Sequence, residues 1–464
     1  MVDYSLFSKN IACITSEGTS YTYHDLDNFT QELSKCMMSR SLCFILCSNT
    51  IGSLVGYLSA LRSDTVALLL NKDIENELLQ NLIDVYKPAY LWLPVEKNTH
   101  YEGLECFSDW KYSLLKLNNS FVEIGKELSL LLTTSGTTGS PKLVRLSKKN
   151  LVANADSIIK YLHINENEKA VTSLPMYYSF GLSVINSHLK VGATLLLTDY
   201  SYIQKEFWDF VIDNGITSFA GVPYTYEILE KMRFWRRNIP TLKTMTQAGG
   251  KLNNNLIEHF AINAREKDID FYVMYGQTEA TARMSYLPAS KTLEKLGSIG
   301  VSIPNGRFEV VGDSGVINNP HVVGELVYKG ENVCLGYAES LSDLQKGDEN
   351  ASILYTGDLA YFDEDGYYYI AGRKKRFLKL YGNRVSLDNV ESLLKGKYVN
   401  VDFACVGTDD KMIVYTTSMD LNADILSYLL EKLQLNKNAF EIRRIDVIPH
   451  SDSGKVQYAS LSNV

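Results

Sequence analysis

The sequence predicts a multidomain α/β protein, and three observations carry that expectation. The chain has 464 residues, more than one hydrophobic core usually serves, so two to four compact units are expected. Short apolar runs alternate with segments of helical period through the middle of the chain, the pattern of parallel strands layered with helices. Beyond Pro288 the texture changes to short strands between glycine-bounded turns, which marks a second kind of unit.

The elements follow in chain order. Glu127–Leu132 (ELSLLL) reads as a buried strand, and Leu151, Ala155, Ile158, Ile159 and Leu162 fall on one face of a helix. Gly192–Thr198, Gly215–Pro223 and Asp270–Gly276 are further strand-like runs. The stretches GRFEVVGDSG, GELVYKG and DEDGYYYIAG predict a small β subdomain. The basic run RKKRFLKLYGNR, from Arg373, reads as a linker in which Lys374 and Arg376 suit a solvated face. The last 80 or so residues mix strand and helix patterns.

Composition narrows the function. At 45% hydrophobic and 22% charged residues the chain is an ordinary globular one, with no repeat or low-complexity tract. A net charge of −8 disfavours nucleic acid and anionic membrane surfaces, which need clustered Lys and Arg, while a local pocket can still hold a small anion. Seven cysteines, odd in number and never spaced CxxC, indicate reduced thiols rather than a disulfide frame or zinc site. No signal-peptide pattern opens the chain and no run approaches the length of a membrane span, so a cytoplasmic location is expected.

Chemistry is concentrated in the stretch TTSGTTGSPK, Thr133–Lys142, directly after the ELSLLL strand. Glycines at 136 and 139 let backbone N–H groups converge on an anion, the hydroxyls of Thr134, Ser135, Thr137 and Thr138 add donors, and Lys142 adds a charge. Such a run alone would more often be a surface turn; the buried strand before it and Pro141 at its exit favour a phosphate cradle. It is not a Walker A loop, because Pro141 intervenes and a strand, not a helix, follows.

The stretch resembles the phosphate loop of the adenylate-forming enzymes, the superfamily of acyl-CoA synthetases, amino-acid adenylation domains and luciferases. Four further motifs of that family follow in order: AGGKL at Ala248, YGQTEA at Tyr275, YTGDLAYFDEDGYYYIAGR from Tyr355 to Arg373, and PHSDSGKVQYASL from Pro449. The resemblance spans nearly the whole chain. It implies a large N-terminal region of two α/β subdomains plus a small β-barrel, residues 1–374, and a small mobile α+β C-terminal domain, residues 375–464. It also implies roles. The phosphate loop, Thr134 to Gly139 with Lys142, holds ATP; Gly249 and Gly250 line the adenine and acyl pockets; Tyr275 stacks on adenine. Thr278 contacts the α-phosphate, Glu279 helps hold Mg²⁺, and Asp358 and Arg373 hold the ribose. Lys455 is the catalytic lysine, Lys375 the hinge, and Gly382 belongs to the thiol-transfer loop.

The resemblance further implies activation of a carboxylic acid with Mg-ATP to an acyl-adenylate and pyrophosphate, then transfer to a thiol. Coenzyme A is the first-choice acceptor; phosphopantetheine on an acyl carrier protein acting in trans, or an amine, is the alternative, and a non-catalytic nucleotide binder a distant third. In LPMYYSFGLSV, Tyr178 replaces the family's pocket-gating His beside Phe180. Gly181 stands where amino-acid adenylation domains carry the Asp that pairs the substrate ammonium, which disfavours an α-amino acid and favours an acyl or aryl acid.

Overall fold

The computed structural model describes residues 2–118, 122–133, 142–374, 376–380, 383–398, 401–408, 411–418, 421–450 and 456–461. Two large sheets with parallel centres dominate. The first has eight strands in the spatial order Gly336–Ala338, Leu143–Ser147, Leu128–Thr133, Val66–Asn71, Leu42–Cys47, Tyr90–Pro94, Tyr112–Lys116, Leu104–Asp109. Its central strands read LCFILC and VALLLN, apolar almost throughout and buried, as parallel strands covered on both faces must be.

The second sheet has nine strands, with Asp270–Tyr275, Thr244–Gln247, Ser218–Gly221, Lys169–Val171, Thr194–Leu197 and Ile11–Thr15 running parallel. The helices Lys148–Leu162 and Ser179–Lys190 form a layer shared by both sheets: Leu151, Ile158, Leu182 and Ile185 join one apolar core with Leu130 and Leu132 of the first sheet and Leu195 and Leu197 of the second. A capping box starts Lys148–Leu162, in which Ser147 Oγ accepts from Asn150 N at 3.1 Å and Asn150 Oδ1 from Ser147 N at 2.8 Å. The Asn150 amide then donates to Glu331 O and Val333 O, tying the helix start to the loop before Gly336–Ala338.

The third unit is the expected β subdomain. Its strands Gly315–Val316, Arg307–Gly312, Gly324–Lys329, Ile353–Phe362 and Tyr368–Arg373 pair antiparallel in that order. Among the described residues these five strands form one sheet, in the region expected as the small β-barrel.

Past Arg373 lie a hairpin, Phe377–Leu380 with Asn383–Ser386, a three-stranded sheet and the helices Leu387–Lys397 and Asn422–Leu433. Their core, including Leu378, Val390, Phe403, Val414 and Leu429, contains no residue of the preceding sheets. The solvated linker expected here needs correcting at Arg376. Its guanidinium is half-buried against Asp388 (2.5 Å) and Glu391 (2.7 Å) and lies 3.7 Å from the Tyr458 ring centroid. A charge run in sequence cannot announce that two acids on the next helix will neutralise one of its members. Lys374 does remain exposed, paired with Glu325.

All seven cysteines are unpaired, five of them buried. Among the described residues no helix is long and apolar enough to cross a membrane.

Candidate active site

One turn gathers most of the site. Strand Asp270–Tyr275 runs into GQTE, and this turn reaches three distant segments. Tyr275 Oη donates to Asp358 Oδ2 at 2.5 Å, and Gln277 Nε2 donates to the same oxygen at 3.1 Å and to Thr356 O at 3.0 Å. Asp358 and Arg373 are cross-strand partners, with Arg373 Nε 3.7 Å from Asp358 Oδ1. Two donors therefore fill Oδ2, while Oδ1 keeps acceptor capacity for hydroxyl donors such as those of a ribose. Burial pushes the Asp358 carboxyl above the usual carboxylate range, opposed by Tyr275 and Arg373. Burial, then the Asp358 charge, pushes the Tyr275 phenol well up, so it stays a donor.

The same turn continues toward Lys142, where the sequence reading expects the phosphates. Thr278 Oγ1 lies 3.1 Å from Ser179 Oγ, at the start of helix Ser179–Lys190. Glu279 Oε1 accepts from Tyr337 Oη at 2.9 Å, and Lys142 Nζ sits 3.8 Å from the Tyr337 ring centroid and 3.3 Å from Glu339 Oε1. The Tyr337 ring is thus a spacer between the lysine and Glu279, and strand pairing fixes it there, Tyr337 facing Val144 across from the strand that follows Lys142. Among the described residues no three His, Cys, Asp or Glu cluster as a metal cage. Mg²⁺ is commonly held by one or two carboxylates plus substrate phosphates, and Glu279 is a carboxylate on the same turn as Thr278.

The region expected to take the acyl group has another character. Tyr178 precedes helix Ser179–Lys190, and burial raises its phenol to about 12. Gly249 has φ +88°, and a Cβ there would lie 2.6 Å from Tyr178 Oη, so the AGG segment and Tyr178 meet directly. Gly250 is held through its carbonyl by the buried Gln247, Nε2 to O at 3.0 Å. Phe180 is buried. A Cβ on Gly181 would stand 2.3 Å from Pro175 O, so the helix packs too closely there to admit any side chain, an ammonium-pairing Asp included. Beyond Phe180 lies Arg283, its guanidinium carbon 5.0 Å from the ring centroid.

Thr134, Ser135, Gly136, Thr137, Thr138, Gly139, Lys375, Gly382 and Lys455 lie outside the described residues. Beyond Lys455, Tyr458 Oη donates to Glu391 Oε2 at 2.9 Å while its ring covers Arg376, so this side chain faces its own domain. The sequence reading missed Gln277, Ser179, Tyr337 and Arg283. Gln277 lay inside the YGQTE motif and Ser179 inside LPMYYSFGLSV, so motif position was the available signal for both; Tyr337 and Arg283 become visible only through strand register and helix packing.

Residues 6–338 match the AMP-binding enzyme family, and the chain belongs to it. Relatives named as CoA ligases are among its matches. Sulfoacetate–CoA ligase of Cupriavidus necator is 29% identical over 346 residues, 72% of this chain and 67% of the relative. A 2-succinylbenzoate–CoA ligase of Bacillus cereus is 28% identical over 341 residues, 71% and 69% of the two chains. The fold is that of the o-succinylbenzoate coenzyme A synthetase of Bacillus subtilis solved with AMP: TM-score 0.81 and 20% identity, covering 100% of this chain and 98% of that one.

Proposed function

We propose that the protein is an AMP-forming ligase that activates an acyl or aryl acid with Mg-ATP and passes the acyl group to coenzyme A. The observation that supports this best is the Tyr275–Glu279 turn, which touches Asp358, Ser179 and Tyr337 at once. These partners are the ribose clamp, the edge of the acyl pocket and the phosphate end that adenylation must hold together. The relatives' names, which are those of CoA ligases, favour coenzyme A over a carrier protein. The acids named for them differ widely, sulfoacetate and indoleacetate among them, so they set no single substrate.

A carboxylate is a poor acyl donor because its leaving group is oxide. Attack of a carboxylate oxygen on the α-phosphorus of ATP expels pyrophosphate, and the acyl-adenylate then offers AMP as the leaving group to an attacking thiol. In this reading Asp358, through Oδ1, and Arg373 orient the ribose, with Tyr275 and Gln277 fixing the carboxylate. Thr278 is aimed at the α-phosphate, and Lys142 and the 134–139 loop hold the outer phosphates. Bound Mg²⁺ would offset phosphate charge, with Glu279 as its protein ligand and Tyr337 setting the carboxylate's orientation. Lys455 stabilises charge growing between carboxylate and phosphorus, an electrostatic role.

We place the division at 374/375, with Lys375 as hinge and Gly382 in the thiol-transfer loop; the separate C-terminal core favours a unit that moves as a body. Among the described residues, contacts across it include Arg373 N donating to Asp388 Oδ2 at 3.3 Å and the stack of Tyr224 on His450 at 6.1 Å. Unpaired cysteines agree with a cytoplasmic location.

The test is carboxylate-dependent pyrophosphate release over fatty, aryl and amino acids, with and without CoA, for wild type and Lys455→Ala. Release should select one acid class, rise with CoA, and fall on the order of a hundredfold or more in the variant. ATP binding without release for any acid would sink the ligase reading.

A further inference from the structure

We propose that Arg283 is an anion-recognising residue of the acyl pocket, and that the acid activated here carries a second negative group beyond the reacting carboxylate. This rests on the adenylation reading above.

Two arginines are fully buried among the described residues, Arg145 and Arg283, and only one is neutralised. Arg145 pairs with Glu349 and donates to Tyr337 O, Leu335 O, Lys346 O and Gly347 O, leaving no unmet charge. Arg283, 2% exposed, has no carboxylate within ion-pair distance among the described residues. Its Nε donates to Ser183 Oγ at 3.1 Å and its Nη1 to Tyr161 Oη at 3.2 Å, with Met274 Sδ at 3.5 Å from Nη1. Every partner is neutral, and Nη2 has no hydrogen-bond partner among the described residues. The Tyr161 phenol does not supply the missing charge, because burial raises it despite Arg283.

A guanidinium cannot shed its proton, so such burial is expensive, and Met or Gln would fill the volume without the charge. The surroundings nevertheless fix the residue firmly. Asn154 Nδ2 and Asn332 Nδ2 both donate to Arg283 O, at 2.9 and 3.1 Å. The preceding Ala282 is held at φ +102°, a conformation L residues rarely adopt and which persists where surroundings over-determine it. The position also suits a ligand contact. Arg283 follows the Tyr275–Glu279 turn by four residues, lies over Phe180, and bonds to Ser183, two residues past Gly181 on the same helix. A substrate whose carboxylate reacts at the turn and whose far end reaches Phe180 meets this cation. A carboxylate or sulfonate there would supply both the counter-charge and an acceptor for Nη2.

The test compares acids that differ only by a second anion: succinate with butyrate, adipate with hexanoate, terephthalate with 4-methylbenzoate. Pyrophosphate release is measured as kcat/KM for wild type, Arg283→Met and Arg283→Lys, with thermal shift on acid binding as a second readout. Wild type should favour the dianion in at least one pair by about 10-fold or more, and Arg283→Met should lower that member alone, on the order of 100-fold. Arg283→Lys should recover part of the preference, and KM for ATP should be unmoved. Preference for the monoanion in every pair overturns the inference, as does an equal loss on both members in Arg283→Met, the signature of a structural arginine. Should Arg283→Met fail to fold, the wild-type pairs and Arg283→Lys decide. Release with monoanions alone defeats only this inference; release with no acid defeats the adenylation reading and this one with it.

Discussion

In the proposed assignment, the nucleotide end of the site and its acyl end are built on opposite plans. Around Asp358 the carboxylates are oriented before any ligand arrives: Tyr275 and Gln277 bond one Asp358 oxygen, Arg373 lies 3.7 Å from the other, and Tyr337 bonds Glu279. At the acyl end lie Phe180, a side-chain-free Gly181 and the phenol of Tyr178, and Arg283 has only neutral hydrogen-bond partners among the described residues. A ligand common to a whole family is met by groups already aimed. A ligand that varies between members is met by shape and by a charge left for it to answer. Experiments on each end should therefore give different signatures, affinity with stability for one and selectivity for the other.

The largest effect expected at the nucleotide end is that of Asp358→Asn. Losing a charged acceptor costs about 2–3 kcal/mol, so KM for ATP should rise roughly 30- to 150-fold. Stability should move the other way. The Asp358 carboxyl is raised above its ordinary 3.8, so its favourable contribution is complete below that value and is lost as pH rises through the raised one. At neutral pH the buried carboxylate is a cost to the free protein. Thermal unfolding without nucleotide should give a Tm for Asp358→Asn at or above wild type near pH 7, with the difference shrinking toward pH 4. A variant destabilised at neutral pH would show that Asp358 is structural first.

At the acyl end Gly181→Asp should not create amino-acid activation. Its Cβ would collide with Pro175 O, and overpacking of this kind costs about 1–3 kcal/mol. The expected outcome is a lower Tm and no amino-acid-dependent pyrophosphate release. Gain of such release without loss of stability would mean that the helix start yields, and that the close packing is not what excludes the Asp.

The same contrast explains what the sequence disclosed. The cluster around Asp358 was legible because its members come in short runs: Tyr275, Thr278 and Glu279 lie in one, and Asp358 and Arg373 in another, which strand pairing and the Tyr275 bond bring together. Parallel strands showed as apolar runs, LCFILC among them, because both their faces are covered. Long-range neutralisation was not legible. Arg376 read as solvent-facing until Asp388 and Glu391 closed on it, and Arg283 read as nothing at all, because its meaning is the absence of an acid within reach. Tyr337 lay hidden for a third reason. Its place beside Glu279 depends on an antiparallel pairing between residues about 190 apart in the chain, Gly336 with Arg145, and no local pattern encodes that register.

Tyr337→Phe gives the smallest effect and the sharpest test of the pre-paired plan. The ring stays, so Lys142 keeps the face it rests on, while Glu279 loses its only side-chain donor among the described residues. A hydrogen bond to a charged acceptor is worth about 1.5 kcal/mol at the low end, or roughly 10-fold. If the hydroxyl serves to orient Glu279, that factor should appear in the Mg²⁺ concentration required for half-maximal pyrophosphate release, with kcat at saturating Mg²⁺ nearly unchanged. Should kcat fall instead, with the Mg²⁺ requirement unmoved, Tyr337 would be setting the lysine rather than the carboxylate. Tyr337→Leu separates the two further, because it removes the ring as well and should add a loss in ATP affinity through Lys142.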